Sequence, residues 1–132
     1  MTGERNLEKL LASMSPELMD REYVFCTFQN AQYGDYLGLE PAAAIKESEG
    51  LTLIIPKRKA DENRIKYESS FKRITLRIHS SLDAVGLTAA FSSKLTEHGI
   101  SANVIAGYYH DHIYVQSEYA EKAMKALNEF AH

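Results

Sequence analysis

The sequence predicts an α+β protein of ferredoxin-like βαββαβ units with antiparallel sheets, two in tandem and interleaved. Three observations lead there. The second half reads strand, helix, strand, strand, helix over residues 73–79, 86–98, 101–106, 112–116 and 117–130. A split βαβ unit of that order needs one more strand to complete a four-stranded sheet, and none follows the last helix here, so the first half is expected to lend one. Finally, a pattern repeats at an offset of about 50 residues. Gly50-Leu51-Thr52-Leu53-Ile54-Ile55 matches Gly99-Ile100-Ser101-Ala102-Asn103-Val104-Ile105 with one residue extra, and the strand at 23–28 stands at the same offset from 73–78. Two strand–helix–strand copies are expected, in halves 1–69 and 70–132.

The elements follow from local pattern. Leu7, Leu10, Leu11 and Met14 recur at helical spacing, and Ser15-Pro16 stops that helix. Residues 22–28 read as a strand, and 29–40, with Gly34, Gly38, Tyr33 and Tyr36, as a loop. Pro41 suits the first turn of a short helix over 42–49, ended by Gly50; Leu51-Thr52-Leu53-Ile54-Ile55 is then a strand closed by Pro56. The polar run 57–63 is expected to be a loop, with a further strand over 64–69. Ile74, Leu76 and Ile78 alternate with polar residues, giving a strand with one buried face. Leu87, Phe91 and Leu95 form one stripe on the next helix. The last helix is expected to bury Ala120, Ala123, Met124, Leu127 and Phe130, with Ser117 as its N-cap.

Composition narrows the function classes. With 45% hydrophobic and 25% charged residues, the 132-residue chain has the make-up of a folded protein, not a disordered one. A net charge of −3 argues against nucleic acid as a partner, which calls for a basic face. The cluster Lys57-Arg58-Lys59 is followed at once by Asp61 and Glu62. The single Cys26 allows no internal disulfide, and within Tyr23-Val24-Phe25-Cys26 it reads as a buried small hydrophobe. No apolar stretch reaches the roughly 20 residues of a membrane span. No signal-peptide core follows Met1-Thr2-Gly3-Glu4-Arg5, so a cytoplasmic location is expected.

Two segments carry candidate chemistry. Ser80-Ser81-Leu82-Asp83-Ala84-Val85-Gly86-Leu87 joins a strand to a helix, with two hydroxyls, a carboxylate and a glycine at the turn. Free N–H groups at the helix start and the helix dipole favour an anion there; the simpler alternative is that Ser80 or Ser81 caps the helix. The second is Ala106-Gly107-Tyr108-Tyr109-His110-Asp111-His112, in the turn between two strands. There Asp111 either bonds nearby backbone N–H groups or, like Asp83, receives an ammonium group; Tyr108 and Tyr109 either wall a pocket or pack at a sheet edge. His110 and His112 share a face if extended, with Asp111 opposite, and two histidines without a third ligand do not make a retained metal site. No nucleophile elbow, P-loop or dinucleotide fingerprint is present, so neither catalytic residues nor a cofactor is expected.

Taken together, Ser80-Ser81-Leu82-Asp83-Ala84-Val85-Gly86-Leu87-Thr88-Ala89-Ala90-Phe91 and the run from Gly99 to His112 resemble a bacterial family of small tandem ACT-domain proteins. Glu49-Gly50-Leu51-Thr52-Leu53 and Tyr23-Val24-Phe25 are similar to its N-terminal half; Arg73 departs from it, standing where an aromatic is expected. The resemblance implies ferredoxin-like modules that bind amino acids at interfaces between domains and regulate metabolic enzymes, as related pairs do in aspartokinases. It implies a ligand loop of Ser81, Asp83, Val85, Gly86 and Leu87 facing a rim of Ile105, Gly107, Tyr108 and Asp111. With no catalytic domain attached, any regulated partner is expected to be a separate protein; a homodimer is expected as well. The alternatives are an interaction module that binds nothing small, and a small metal enzyme using His110, Asp111 and His112.

Overall fold

The structure, a computed structural model, describes residues 6–77 and 86–131. Their elements run α1 (Leu7–Ala12), β1 (Pro16–Phe28), β2 (Ala43–Lys46), β3 (Leu51–Pro56), α2 (Lys57–Glu62), β4 (Phe71–Leu76), α3 (Leu87–Glu97), β5 (Asn103–Ala106), β6 (Asp111–Gln116) and α4 (Ala120–Asn128). Short 3-10 turns cover Leu37–Leu39 and Ser117–Tyr119. The chain divides into two units. The first takes the described residues of 1–20 and of 72–132, the second residues 21–71.

In the first unit the strand order is β1-β4-β6-β5. The strand that the second half lacked is supplied by the opening residues of β1, and the Arg77 N–H donates to the Ser15 carbonyl at 3.3 Å. Alternation fixes the faces. Ile74 and Leu76 of β4 and Ile113 and Val115 of β6 turn to one side and pack with Leu10 and Met14, with Leu87, Phe91 and Leu95 of α3, and with Ala120, Ala123, Ala126 and Leu127 of α4. Arg73, Thr75, Arg77, His112 and Tyr114 therefore belong to the other face. Each fully buried Leu or Phe of this core stabilises the fold by about 1.5–3 kcal/mol. The stripe Leu87, Phe91, Leu95 is buried as expected, and Met124 and Phe130 pack only partly against the core.

In the second unit β3 lies between β2 and β1. The β1–β3 register runs from Tyr23↔Pro56 to Phe28↔Leu51, and β2–β3 from Ala43↔Ile54 to Lys46↔Leu51, both antiparallel. Val24, Ala31, Leu39, Leu51, Leu53, Ile55 and Ala60 form its core, with half-buried Cys26 packed against it.

Several local expectations are corrected. Residues 42–49 are not a helix: Ala43–Lys46 is a strand, because pairing with β3 outweighs the helix propensity of the alanines. Glu47 and Gly50 exchange backbone hydrogen bonds at 2.9 and 3.2 Å, so Gly50 ends a hairpin turn, not a helix. The second unit thus has no α-helix between its first two strands, only the 3-10 turn Leu37–Leu39. The repeat is also re-aligned: by order within the unit, β3 corresponds to β6 and β2 to β5, so Gly50-Leu51-Thr52 is not the counterpart of Gly99-Ile100-Ser101.

Residues 57–62 are a helix instead of a loop. Lys57–Asp61 at 3.0 Å and Arg58–Glu62 at 3.1 Å are i,i+4 pairs, and Ala60 is fully buried beneath them. No strand covers 64–69, where Arg64 takes a positive φ of 55°. β1 begins at Pro16, ahead of the expected start at residue 22, because its opening residues belong to the first unit. Helix α1 ends at Ala12, capped at its start by Asn6, whose side chain accepts from the Lys9 N–H at 3.1 Å. Ser117 opens a 3-10 turn, and α4 is N-capped by Tyr119 with no side-chain bond.

Candidate functional site

The β5–β6 hairpin closes on the pair Ala106↔Asp111, leaving Gly107, Tyr108, Tyr109 and His110 as its turn. The Gly107 N–H donates to the His110 carbonyl at 3.0 Å. A Cβ on Gly107 would stand 2.8 Å from that same oxygen, so the turn admits only glycine there. It throws Tyr108 and Tyr109 into solvent, 79% and 74% exposed, edge-on to each other with ring centres 5.1 Å apart. They are not packing residues.

One hydrogen bond sets this hairpin beside β4. The Thr75 hydroxyl meets His112 Nδ1 at 3.1 Å, which brings the hairpin turn to the sheet end where β4 finishes. Beyond β4 the described chain resumes at Gly86, the N-cap of α3, with φ +90° and no side-chain cap. A Cβ at Gly86 would also touch Leu7 Cδ2 at 3.3 Å. Here the glycine answers to a left-handed backbone and to α1. Leu87 is buried in the core, leaving its backbone N–H, among the first of α3, without a partner inside the helix.

The titratable groups of the turn differ in environment. Asp111 alternates with His112, so it shares the face of Ile113, Val115 and the helices. Its half-buried carboxyl is pushed above the usual carboxylate range by loss of solvent, and the nearby His110 opposes this. Among the described residues no hydrogen bond reaches that carboxylate. His110 Nδ1 is buried, also without a partner among the described residues. Burial holds His112 below its ordinary value, with Arg73, His110 and Arg77 acting in the same direction, so the Thr75–His112 bond is made by a neutral ring near pH 7.

Of the site residues expected from sequence, Gly107, Tyr108 and Asp111 come together in one turn, with Ile105 paired to His112 just inside it. Gly86 and Leu87 open α3. Ser81, Asp83 and Val85 lie outside the described residues. Asp111 and His112 point to opposite faces, and among the described residues no three His, Cys, Asp or Glu groups gather as metal ligands. The Thr75–His112 bond is not legible in the sequence: Thr75 is an ordinary polar member of an alternating strand, buried only because of its neighbours, and nothing in the sequence marks its partner.

In the second unit, a cleft of about 410 Å³ is lined by Arg21, Glu22, Pro56, Lys57, Arg58, Asp61 and Glu62. Four of those charges are satisfied within α2 by the Lys57–Asp61 and Arg58–Glu62 pairs. No helix of the described chain is long and apolar enough to cross a membrane.

Comparison with known proteins bears on the family and the fold. Residues 2–72 match a family model of the ACT domain and residues 68–129 match a second one. A crystal structure from Vibrio cholerae, of a protein of unknown function and possible transport protein, is 59% identical, with 96% of each chain covered and a TM-score of 0.88. A protein from Agrobacterium tumefaciens shares the fold at 15% identity, 90% of each chain and TM-score 0.72. So does the ligand-free regulatory subunit of aspartate kinase from Thermus thermophilus, at 9% identity, covering 92% of this chain and 99% of that one, TM-score 0.64. No curated protein matches this chain.

Proposed function

The chain belongs to the ACT-domain family of regulatory domains, with two copies in tandem, and from that premise we propose that it is a non-catalytic amino-acid-binding regulator. The observation that carries the reading is Asp111: a half-buried carboxylate, with no hydrogen-bond partner among the described residues, on the face that α3 shares. An ammonium group arriving there forms charge-assisted hydrogen bonds and removes the cost of holding the charge in partial burial.

In this proposal the ligand's carboxylate lies against the backbone N–H groups of Val85, Gly86 and Leu87, at the positive end of the α3 dipole. Asp83 is a second acceptor for the ammonium and Ser81 a further polar contact. Ile105, Gly107 and Tyr108 form the rim. The ligand is held where ACT-like domains meet, with a second copy of the chain closing the site in a homodimer, and the regulated enzyme is a separate protein in the cytoplasm. The Thermus subunit, which regulates an aspartate kinase, supports a regulatory role through its fold.

The exposed Tyr108–Tyr109 pair favours a second reading, an interaction module whose tyrosines anchor a protein partner. Calorimetric titration of the full chain with the common amino acids separates the two. Saturable heat with one of them, weakened in Asp111→Asn, supports the regulator; no heat at millimolar concentration with any of them leaves the interaction module.

A further inference from the structure

The two units can be compared position by position at their hairpins. In each, four residues separate the last paired positions: Lys46↔Leu51 in the second unit and Ala106↔Asp111 in the first. Leu51 therefore stands where Asp111 stands, Glu47 where Gly107 stands, and Thr52 where His112 stands. The chemistry is not repeated. Leu51 is a core side chain, 1% exposed, and cannot receive an ammonium group. The Glu47 carboxylate is taken by the Thr52 hydroxyl. A Cβ at Gly50 would stand 2.9 Å from Thr27 Oγ1 and 3.0 Å from the Phe28 carbonyl, so this turn is pressed onto β1.

The connection over the same end differs as well. In the first unit residues 77–102 contain α3; in the second, residues 29–42 hold only the 3-10 turn Leu37–Leu39, so no long helix presents its N-terminus. That connection is tied to the edge strand by its own side chains. The Lys46 N–H donates to the Tyr33 hydroxyl at 3.1 Å, Lys46 Nζ donates to Gln32 Oε1, and the Gln32 N–H donates to Asp35 Oδ2 at 2.7 Å. Tyr36 stacks on Phe28 with ring centres 3.8 Å apart. These contacts tie the connection to β2 and occupy the Lys46 N–H and the Asp35 carboxylate, while the Tyr33 ring itself stays 61% exposed.

We infer that the tandem is functionally asymmetric: each chain binds one amino acid, at the Asp111 end of the first unit, while the corresponding end of the second unit is closed by Tyr33, Gln32 and Lys46 and binds none. This rests on the amino-acid-binding reading above, which concerns whether such a site exists; the inference concerns how many there are and where. It gives the second unit a scaffold role.

The test is a titration of the isotopically labelled full chain with each common amino acid, followed by amide chemical shifts and by heat. The expected result is one equivalent per chain, with shifts at Gly86, Gly107 and Asp111 and none at Glu47, Gly50 or Leu51. Asp111→Asn should weaken binding roughly tenfold or more. Two equivalents, or shifts at Glu47 and Leu51 that survive Asp111→Asn, would overturn the asymmetry while leaving amino-acid binding intact; no binding by any amino acid would overturn both. Independently of ligand, Tyr33→Phe should speed exchange of the Lys46 amide roughly fivefold. An unchanged rate would overturn the closure.

Discussion

Thr75 Oγ1 and His112 Nδ1 stand 3.1 Å apart, one on β4 and the other on β6, and Thr75 is 3% exposed. A buried hydroxyl that loses its partner costs about 1–3 kcal/mol, so this pair holds the hairpin to the end of β4 and with it the place of Asp111.

The bond makes stability depend on pH. His112 is held below its ordinary value by burial first and by Arg73, His110 and Arg77 after it, so the folded state binds its proton less readily than the unfolded chain does. Stability from this group is complete above the ordinary histidine value of about 6.5 and is lost as pH falls from there through the lowered folded value. Denaturant unfolding at stepped pH should show that decline in the wild type and a flatter segment in His112→Gln. Parallel curves would remove His112 as its source.

Gly86→Ala should destabilise the chain by about 1–2 kcal/mol, because φ +90° is unfavourable for any residue with a Cβ. Contact with Leu7 Cδ2 at 3.3 Å adds to that cost. A chemical denaturation midpoint equal to that of the wild type would mean that Gly86 does not hold this backbone conformation.

Phe91 is fully buried between α3, the sheet and α4. Phe91→Ala should cost about 3–5 kcal/mol by lost burial and the cavity left behind. Thermal unfolding followed by circular dichroism checks this, and a loss below about 1 kcal/mol would show that the site collapses to fill the gap.

Elements that make their own pattern were legible in the sequence, and elements made by partners were not. The stripe Leu87, Phe91, Leu95 and the alternation Ile74, Leu76 each declare a face, and both are buried as read. The missing strand of the first unit was legible as a deficit, since a βαββα run cannot close its sheet alone. Ala43-Ala44-Ile45-Lys46 was not, because its strand state comes from β3, outside the segment's own propensity. The charges of 57–62 carried an i,i+4 signal that identifies α2, but read as a bulk polar run they suggest a loop. At the site, Gly107 and Asp111 stand out by residue type and the opposite facing of Asp111 and His112 follows from alternation, whereas the Thr75–His112 bond joins two strands distant in sequence and neither segment's own pattern declares it.

Because Asp111 is ionised at a cost in partial burial, replacing it should not weaken the fold. Asp111→Asn is therefore expected to unfold at the same temperature as the wild type or higher, and a lower temperature would mean that the carboxylate serves the fold.

The most direct measurement is titration calorimetry of the common amino acids into the wild type and into Asp111→Asn, side by side at pH 7. The account predicts saturable binding of one amino acid per chain in the wild type, weakened roughly tenfold or more in a variant that remains folded. Equal affinity in the two proteins, or no binding to the wild type at millimolar concentration, would contradict it.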